Sequence, residues 1–192
     1  QSVIGPTQEI TWSTGAVDKT LDPAERPPNI VLILADDLGW NDLSMNGPNP
    51  TTQTPNIDAL AAQGVTFSQG YAANASCAPS RAALMSGRYA TRFGFEFTPT
   101  PPGMIPITNM IGEMQDRPLL PPGVTSSEES TLTYPEMAMP PTEITLAELI
   151  ADAGYHTLHI GKWHLGLEKG TLPHEQGFAE SLLRVGGLSG RL

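Results

Sequence analysis

The sequence predicts an α/β fold, a mostly parallel central sheet flanked by helices. Three observations carry that expectation. A continuous apolar run at residues 30–34 reads as a strand buried on both faces, the pattern of a parallel sheet covered by helices. Segments with helix punctuation alternate with strand-like segments along the chain. Nineteen Gly and nineteen Pro in 192 residues mark many turns and argue against a helical bundle.

Residues 1–28 are polar and turn-rich and end in "PAERPP". They read as an N-terminal tail or arm, with the folded domain expected over 29–192. The run at 30–34 leads into Asp36 and Asp37, and Gly39 lets the chain turn. In "TPNIDALAAQG", Thr54 suits a helix cap, Pro55 the first helical position and Gly64 the left-handed position past the end. Ile57, Leu60 and Ala61 fall on one face. "VTFSQGYA" is a strand candidate. Residues 79–86 read as a helix closed by Gly87, with Cys77 at or just before its N-terminus.

Residues 98–142 differ: they hold ten of the nineteen prolines and five acids against one base, Arg117. They read as a long irregular excursion, either a surface insertion or a loop edging a site. Helix resumes in "ITLAELIADAG", where Thr145 and Glu148 make a capping box and Ile144 and Leu149 stand as a hydrophobic staple. Gly154 ends that helix, and "YHTLHIGKW" returns as a strand.

Ten basic against twenty acidic residues give a formal charge of −10. That argues against a nucleic-acid binder, whose affinity comes from basic surface. It leaves open a small anionic substrate, because a few local cations can build an anion site on an acidic protein. No apolar stretch approaches the ~20 residues a membrane helix needs. A single cysteine excludes an internal disulfide framework and a Cys-rich zinc site. The sequence opens on Gln1 rather than an initiator methionine, as a processed product or a fragment does.

Three groups of residues carry chemistry. Asp36 and Asp37 follow a buried-strand pattern, where α/β proteins place ligands, and offer oxygen donors to a hard divalent cation; they equally suit a polar turn. Cys77 is an inert small hydrophobe, a nucleophile, or the precursor of another group. Its place at a helix start, with Arg81 one turn in, favours an anion on or near position 77. In "GKWHLG", an extended backbone points Lys162 and His164 to the same side, as an anion clamp and acid/base pair or as an exposed lysine and a satisfied histidine. His156 and His159 read as structural or solvent-facing.

The conjunction is more specific than its parts. "NIVLILADDLG", "TPNIDALAAQG", "CAPSRAALMSGRY" and "HIGKWHLG" stand in the order and approximate spacing that resembles the N-terminal portion of a type I sulfatase, over residues 28–178. The resemblance implies an alkaline-phosphatase-like α/β fold. It implies an arylsulfatase-like sulfuric ester hydrolase whose Cys77 is oxidised by a formylglycine-generating enzyme; Pro79 and Arg81 match what that enzyme reads. One hydroxyl of the hydrated aldehyde attacks sulfur and displaces the alcohol. The other then loses its proton, and collapse to the aldehyde expels sulfate.

Residue by residue, the resemblance implies that Asp36, Asp37 and the modified Cys77 bind a divalent metal, usually calcium. Arg81 orients the diol, Lys162 contacts the sulfate, and His164 hydrogen-bonds the diol and accepts the proton during release. The implied partners are a sulfated small molecule or polysaccharide, in a periplasmic or secreted setting, with no nucleic acid and no membrane span. The family's further metal ligands and its second His and Lys have no counterpart before Leu192. The sequence is therefore expected to be a fold incomplete at its C-terminal side. Hydrolysis of phosphonate monoesters or phosphodiesters, and an inactive truncated metal-binding product, are the alternative expectations. Asn74-Ala75-Ser76 is formally a glycosylation sequon, but a glycan there would crowd position 77.

Overall fold

The computed structural model of the protein describes residues 22, 26–47, 52–99 and 136–184; the rest of the expected tail and most of the excursion lie outside the described residues. The chain divides into two compact units, Gln1–Leu34 and Ala35–Leu192.

In the first unit, residues 30–34 form no strand. Ile30, Val31, Leu32, Ile33 and Leu34 are 60, 80, 56, 81 and 47% exposed. This corrects the expected buried strand. A run that is apolar on both faces becomes a strand only where neighbours pair its edges and cover its faces, and among the described residues no β-ladder includes it.

The second unit carries helices α1 (Pro55–Gln63), α2 (Cys77–Ser86) and α3 (Leu146–Asp152), and strands β1 (Leu158–Lys162) and β2 (Glu180–Arg184). The strands pair in parallel, Leu158 opposite Glu180 and Ile160 opposite Leu182. Parallel neighbours need a crossover of a dozen residues or more, and residues 163–179 supply it, with a 3₁₀ turn at Pro173–Glu175. Thr157 pins the start of this ladder: its hydroxyl donates to Gly177 O (2.6 Å) and accepts from Ala179 N–H (2.9 Å).

Local sequence explains most of the helix ends. In α3 the capping box is complete: Thr145 Oγ1 accepts from Glu148 N–H (3.2 Å), and the Glu148 carboxylate accepts from Thr145 N–H (2.7 Å). The staple does not form, since Ile144 and Leu149 are 63 and 58% exposed. In α2, Gly87 takes the left-handed position at φ 66°. Gly64 does not: its φ is −121°, and its N–H bonds Ala61 O (3.3 Å) in a tightened last turn. Thr54 precedes α1 without capping a helix N–H, because its hydroxyl oxygen accepts instead from Ser44 N–H (3.0 Å) while its proton goes to Asp58 Oδ1 (2.9 Å). "VTFSQGYA" is a turn rather than a strand: Gly70 N–H bonds Phe67 O (3.4 Å), and Val65, Phe67 and Tyr71 are all exposed.

The core sits under α2. Ala78 and Ala82 are fully buried and four residues apart on one helix face, so neighbouring segments approach closely. Phe95, Met139, Trp163 and Leu165 fill the space against them. Met139 comes from the end of the excursion, and its N–H donates to Leu165 O (2.8 Å). That contact joins the excursion's exit to the segment holding His164.

Candidate active site

The site is built where the N-terminal turn of α2 faces the end of β1. Cys77 opens α2, and Arg81 follows one turn later on the same face. The Arg81 guanidinium forks: Nη1 donates to the Lys162 carbonyl (2.7 Å) and Nη2 to Asp36 Oδ1 (3.0 Å). Lys162 Nζ donates to Asp36 Oδ2 (2.7 Å). One carboxylate thus bridges two cations whose backbones lie 81 residues apart in sequence.

The Lys162 ammonium holds the Asp36 carboxyl below the usual carboxylate range; partial burial opposes this and Arg81 reinforces it. Asp36 is 39% exposed, against 12% for Arg81 and 18% for Lys162. Exposed ion pairs contribute only about 0.2–1 kcal/mol each to stability. The consequence of this cluster is therefore alignment: it ties the loop at Asp36, the helix at Arg81 and the strand end at Lys162 into one geometry.

His164 departs from the expected extended spacing, because its φ is 66°. Left-handed backbone is uncommon outside glycine, although Asp, Asn and His tolerate it best. The imidazole nevertheless stays within electrostatic reach of Lys162, Arg81 and Asp36. Burial first, then the Lys162 and Arg81 charges, lower its pKa, so the ring is neutral at neutral pH; Asp36 opposes this. Its Nδ1 is buried without a hydrogen-bond partner among the described residues. Asp37 also has positive φ, 58°, and is exposed.

Cys77 is half-buried, and its Sγ lies 3.8 Å from Thr98 Oγ1. Sequence reasoning passed over Thr98, since a threonine in a proline-rich excursion carries no chemical signature; the excursion's expected place beside a site was the one available hint. Asn74 Oδ1 accepts from Ser76 N–H (2.8 Å), so the sequon side chain is folded back onto its own turn. His156 is exposed and pairs with Glu180 (2.6 Å). His159 stacks edge-on against Trp163 and tilts against Phe178, with ring centroids 5.3 Å apart in each case. Both match the structural or solvent-facing reading.

The adjacent carboxylates fit one edge of a hard-cation site. Asp36 and Asp37 offer oxygen donors from a single loop, with Asp37 exposed and both Asp36 oxygens held by Arg81 and Lys162 in this structure. Among the described residues no three His, Cys, Asp or Glu side chains gather as a metal-binding group, so Asp36, Asp37 and Cys77 do not form one. Calcium takes six to eight oxygens, and further donors are needed to complete its shell.

Residues 28–187 match the family model of the sulfatases. The chain belongs to the sulfatase family. It is 38% identical over 175 residues to N-acetylgalactosamine-6-sulfatase of Mus musculus, covering 90% of this chain and 28% of that protein. It is 41% identical over 155 residues to arylsulfatase A of Homo sapiens, covering 80% and 24%. Among solved structures, Ps i-CgsB superimposes with a TM-score of 0.61 at 34% identity, covering 84% of this chain and 29% of that one. The fold is that of the alkaline-phosphatase-like sulfatases. The chain spans about a quarter of the length of the curated sulfatases it matches.

Proposed function

We propose that this sulfatase chain carries the nucleophile-bearing part of a sulfuric ester hydrolase, with position 77 converted from cysteine to formylglycine by a formylglycine-generating enzyme. The observation that carries the reading is the bridging of Asp36 by Arg81 and Lys162, one helical turn from Cys77. Arg81 and Lys162 concentrate positive charge where the sulfuryl oxygens gain negative charge, in a frame already aligned before substrate arrives. Arg81 orients the side chain at position 77 from the same helix face. His164, neutral and next but one to Lys162, is the proton acceptor for release.

Asp36 and Asp37 would hold a divalent metal, calcium in the family's usual case, together with position 77 and donors outside the described residues. When bound it supplies charge that offsets the developing anion. A sulfated saccharide is the substrate class we favour over another sulfated small molecule. It is supported by the relatives named N-acetylgalactosamine-6-sulfatase and by Ps i-CgsB, solved in complex with k-i-k-neocarrahexaose. Among the described residues no helix is long and apolar enough to cross a membrane. We place the mature protein in the periplasm or outside the cell, where sulfated polysaccharide is met.

The test is turnover by the protein carrying this chain, co-expressed with a formylglycine-generating enzyme, on a nitrophenyl sulfate and the matching phosphate diester. The expected result is sulfate release at a higher kcat/KM than diester cleavage. Preference for the diester would favour a phosphorus-directed hydrolase. Absence of both activities in protein confirmed to carry the aldehyde would favour an inactive metal-binding product.

A further inference from the structure

We infer that Thr98 is a positioning residue for the side chain at position 77, a role that rests on the proposed function for its catalytic consequence but not for its geometry. The hydroxyl of Thr98 stands 3.8 Å from Cys77 Sγ, a long contact that the larger radius of sulfur allows as a weak hydrogen bond. Its surroundings hold it there. The preceding chain makes the turn at Ala90–Arg92, Phe95 N–H bonds Ala90 O (3.1 Å), and Phe95 and Ala90 are both buried in the core against α2. Pro99, directly after Thr98, is buried and has its φ fixed by its ring. A threonine between a buried aromatic anchor and a buried proline has little freedom to leave the helix start.

Position 77 therefore has polar neighbours from two sources. Arg81 lies one turn along α2, while Thr98 approaches from the start of the proline-rich excursion. A hydroxyl both donates and accepts, so it suits a thiol and equally a side chain bearing hydroxyls, whereas an arginine only donates. Thr98 selects the rotamer in which the group at position 77 meets the substrate, and its effect falls on kcat rather than on KM.

Two readouts separate this role from packing and from the sulfatase reading itself. The first uses the full protein carrying this chain, made without the modifying enzyme, with mass spectrometry confirming that Cys77 is still a thiol, and measures its alkylation by iodoacetamide. Thr98→Val keeps shape and removes the hydroxyl; Thr98→Ser keeps the hydroxyl. The valine variant is expected to alkylate about three- to tenfold more slowly, the range one hydrogen bond spans, with the serine variant within about twofold of the parent. Equal rates for parent and valine variant overturn the proposal. So does an equal slowing in both variants, which would be a packing effect.

The second readout is turnover of a nitrophenyl sulfate by the matured protein. Thr98→Val is expected to lower kcat with KM unchanged, and Thr98→Ser to restore it. A rise in KM alone would overturn the positioning role. If the matured parent has no sulfatase turnover while the alkylation difference persists, the contact stands and the functional reading fails. Should circular dichroism show Thr98→Val unfolded, Thr98→Ala takes its place under the same criteria.

Discussion

Arg81 is the residue through which the site is assembled, and its geometry sets a sharp expectation. A guanidinium reaches the Lys162 carbonyl and the Asp36 carboxylate at once, whereas an ammonium cannot span both. Arg81→Lys, which keeps the charge, is predicted to lower kcat on a nitrophenyl sulfate by about 10²-fold, on the scale of losing one aligned charge-stabilising group. The formylglycine content at position 77 must be measured alongside, since the same arginine lies in the sequence that the proposed modifying enzyme would read. A kcat within about twofold of the parent at equal formylglycine content would show that the fork is dispensable. His159 makes a separate prediction about stability. Burial against Trp163 and Phe178 lowers its pKa; the Arg81 charge adds to this, and a hydrogen bond to the Lys162 backbone opposes it. In the unfolded chain the imidazole titrates at its ordinary value of 6.5, so below that pH the unfolded state binds more protons than the folded one. Its contribution is present above pH 6.5 and is lost as pH falls through the lower folded value. Melting temperature in dilute solution is predicted to drop on acidification through this window, and less so in His159→Gln.

Among the elements, the turn that docks α3 depends on a single glycine. Gly177 has φ +94°, and a Cβ there would collide with the backbone of Ala147 and Glu148. The same junction holds the fully buried Thr145, whose hydroxyl donates to Gln176 O (2.7 Å). Gly177→Ala is predicted to cost more than about 1 kcal/mol, because it combines an unfavourable φ with a backbone clash. A shift in the urea midpoint measures it, and an unchanged midpoint would contradict the packing described. Sequence made some of these elements legible and hid others for physical reasons. The capping box at Thr145 and Glu148, the left-handed Gly87 and the helix expected over 79–86, which in the structure already starts at Cys77, follow from local rules that need no distant partner. Residues 30–34 and "VTFSQGYA" did not follow, since strands depend on ladder partners that no local pattern specifies. Thr54 failed as a cap because Asp58 and Ser44 compete for its hydroxyl. The Arg81–Asp36–Lys162 cluster was legible only as separate motifs. Which oxygen meets which cation depends on contacts across 45 and 126 residues.

For the whole molecule, the core and the exposed surface point in different directions. Ala78, Ala82, Phe95, Met139, Trp163 and Leu165 make a close-packed centre, and Met139→Ala is predicted to destabilise it by about 2–5 kcal/mol. Yet Leu158 and Ile160 of β1, with Leu182 of β2 opposite Ile160, are 40, 65 and 44% exposed on one face of a two-stranded sheet. Exposed apolar sheet faces drive association. The chain on its own is therefore predicted to self-associate in size-exclusion chromatography with light scattering; a monodisperse monomer would contradict this. The central claim concerns position 77, and its most direct measurement is the mass of the peptide containing that residue, taken from native protein that hydrolyses a sulfate ester. An aldehyde or its hydrate is the predicted species. An unmodified thiol in fully active protein would contradict the account.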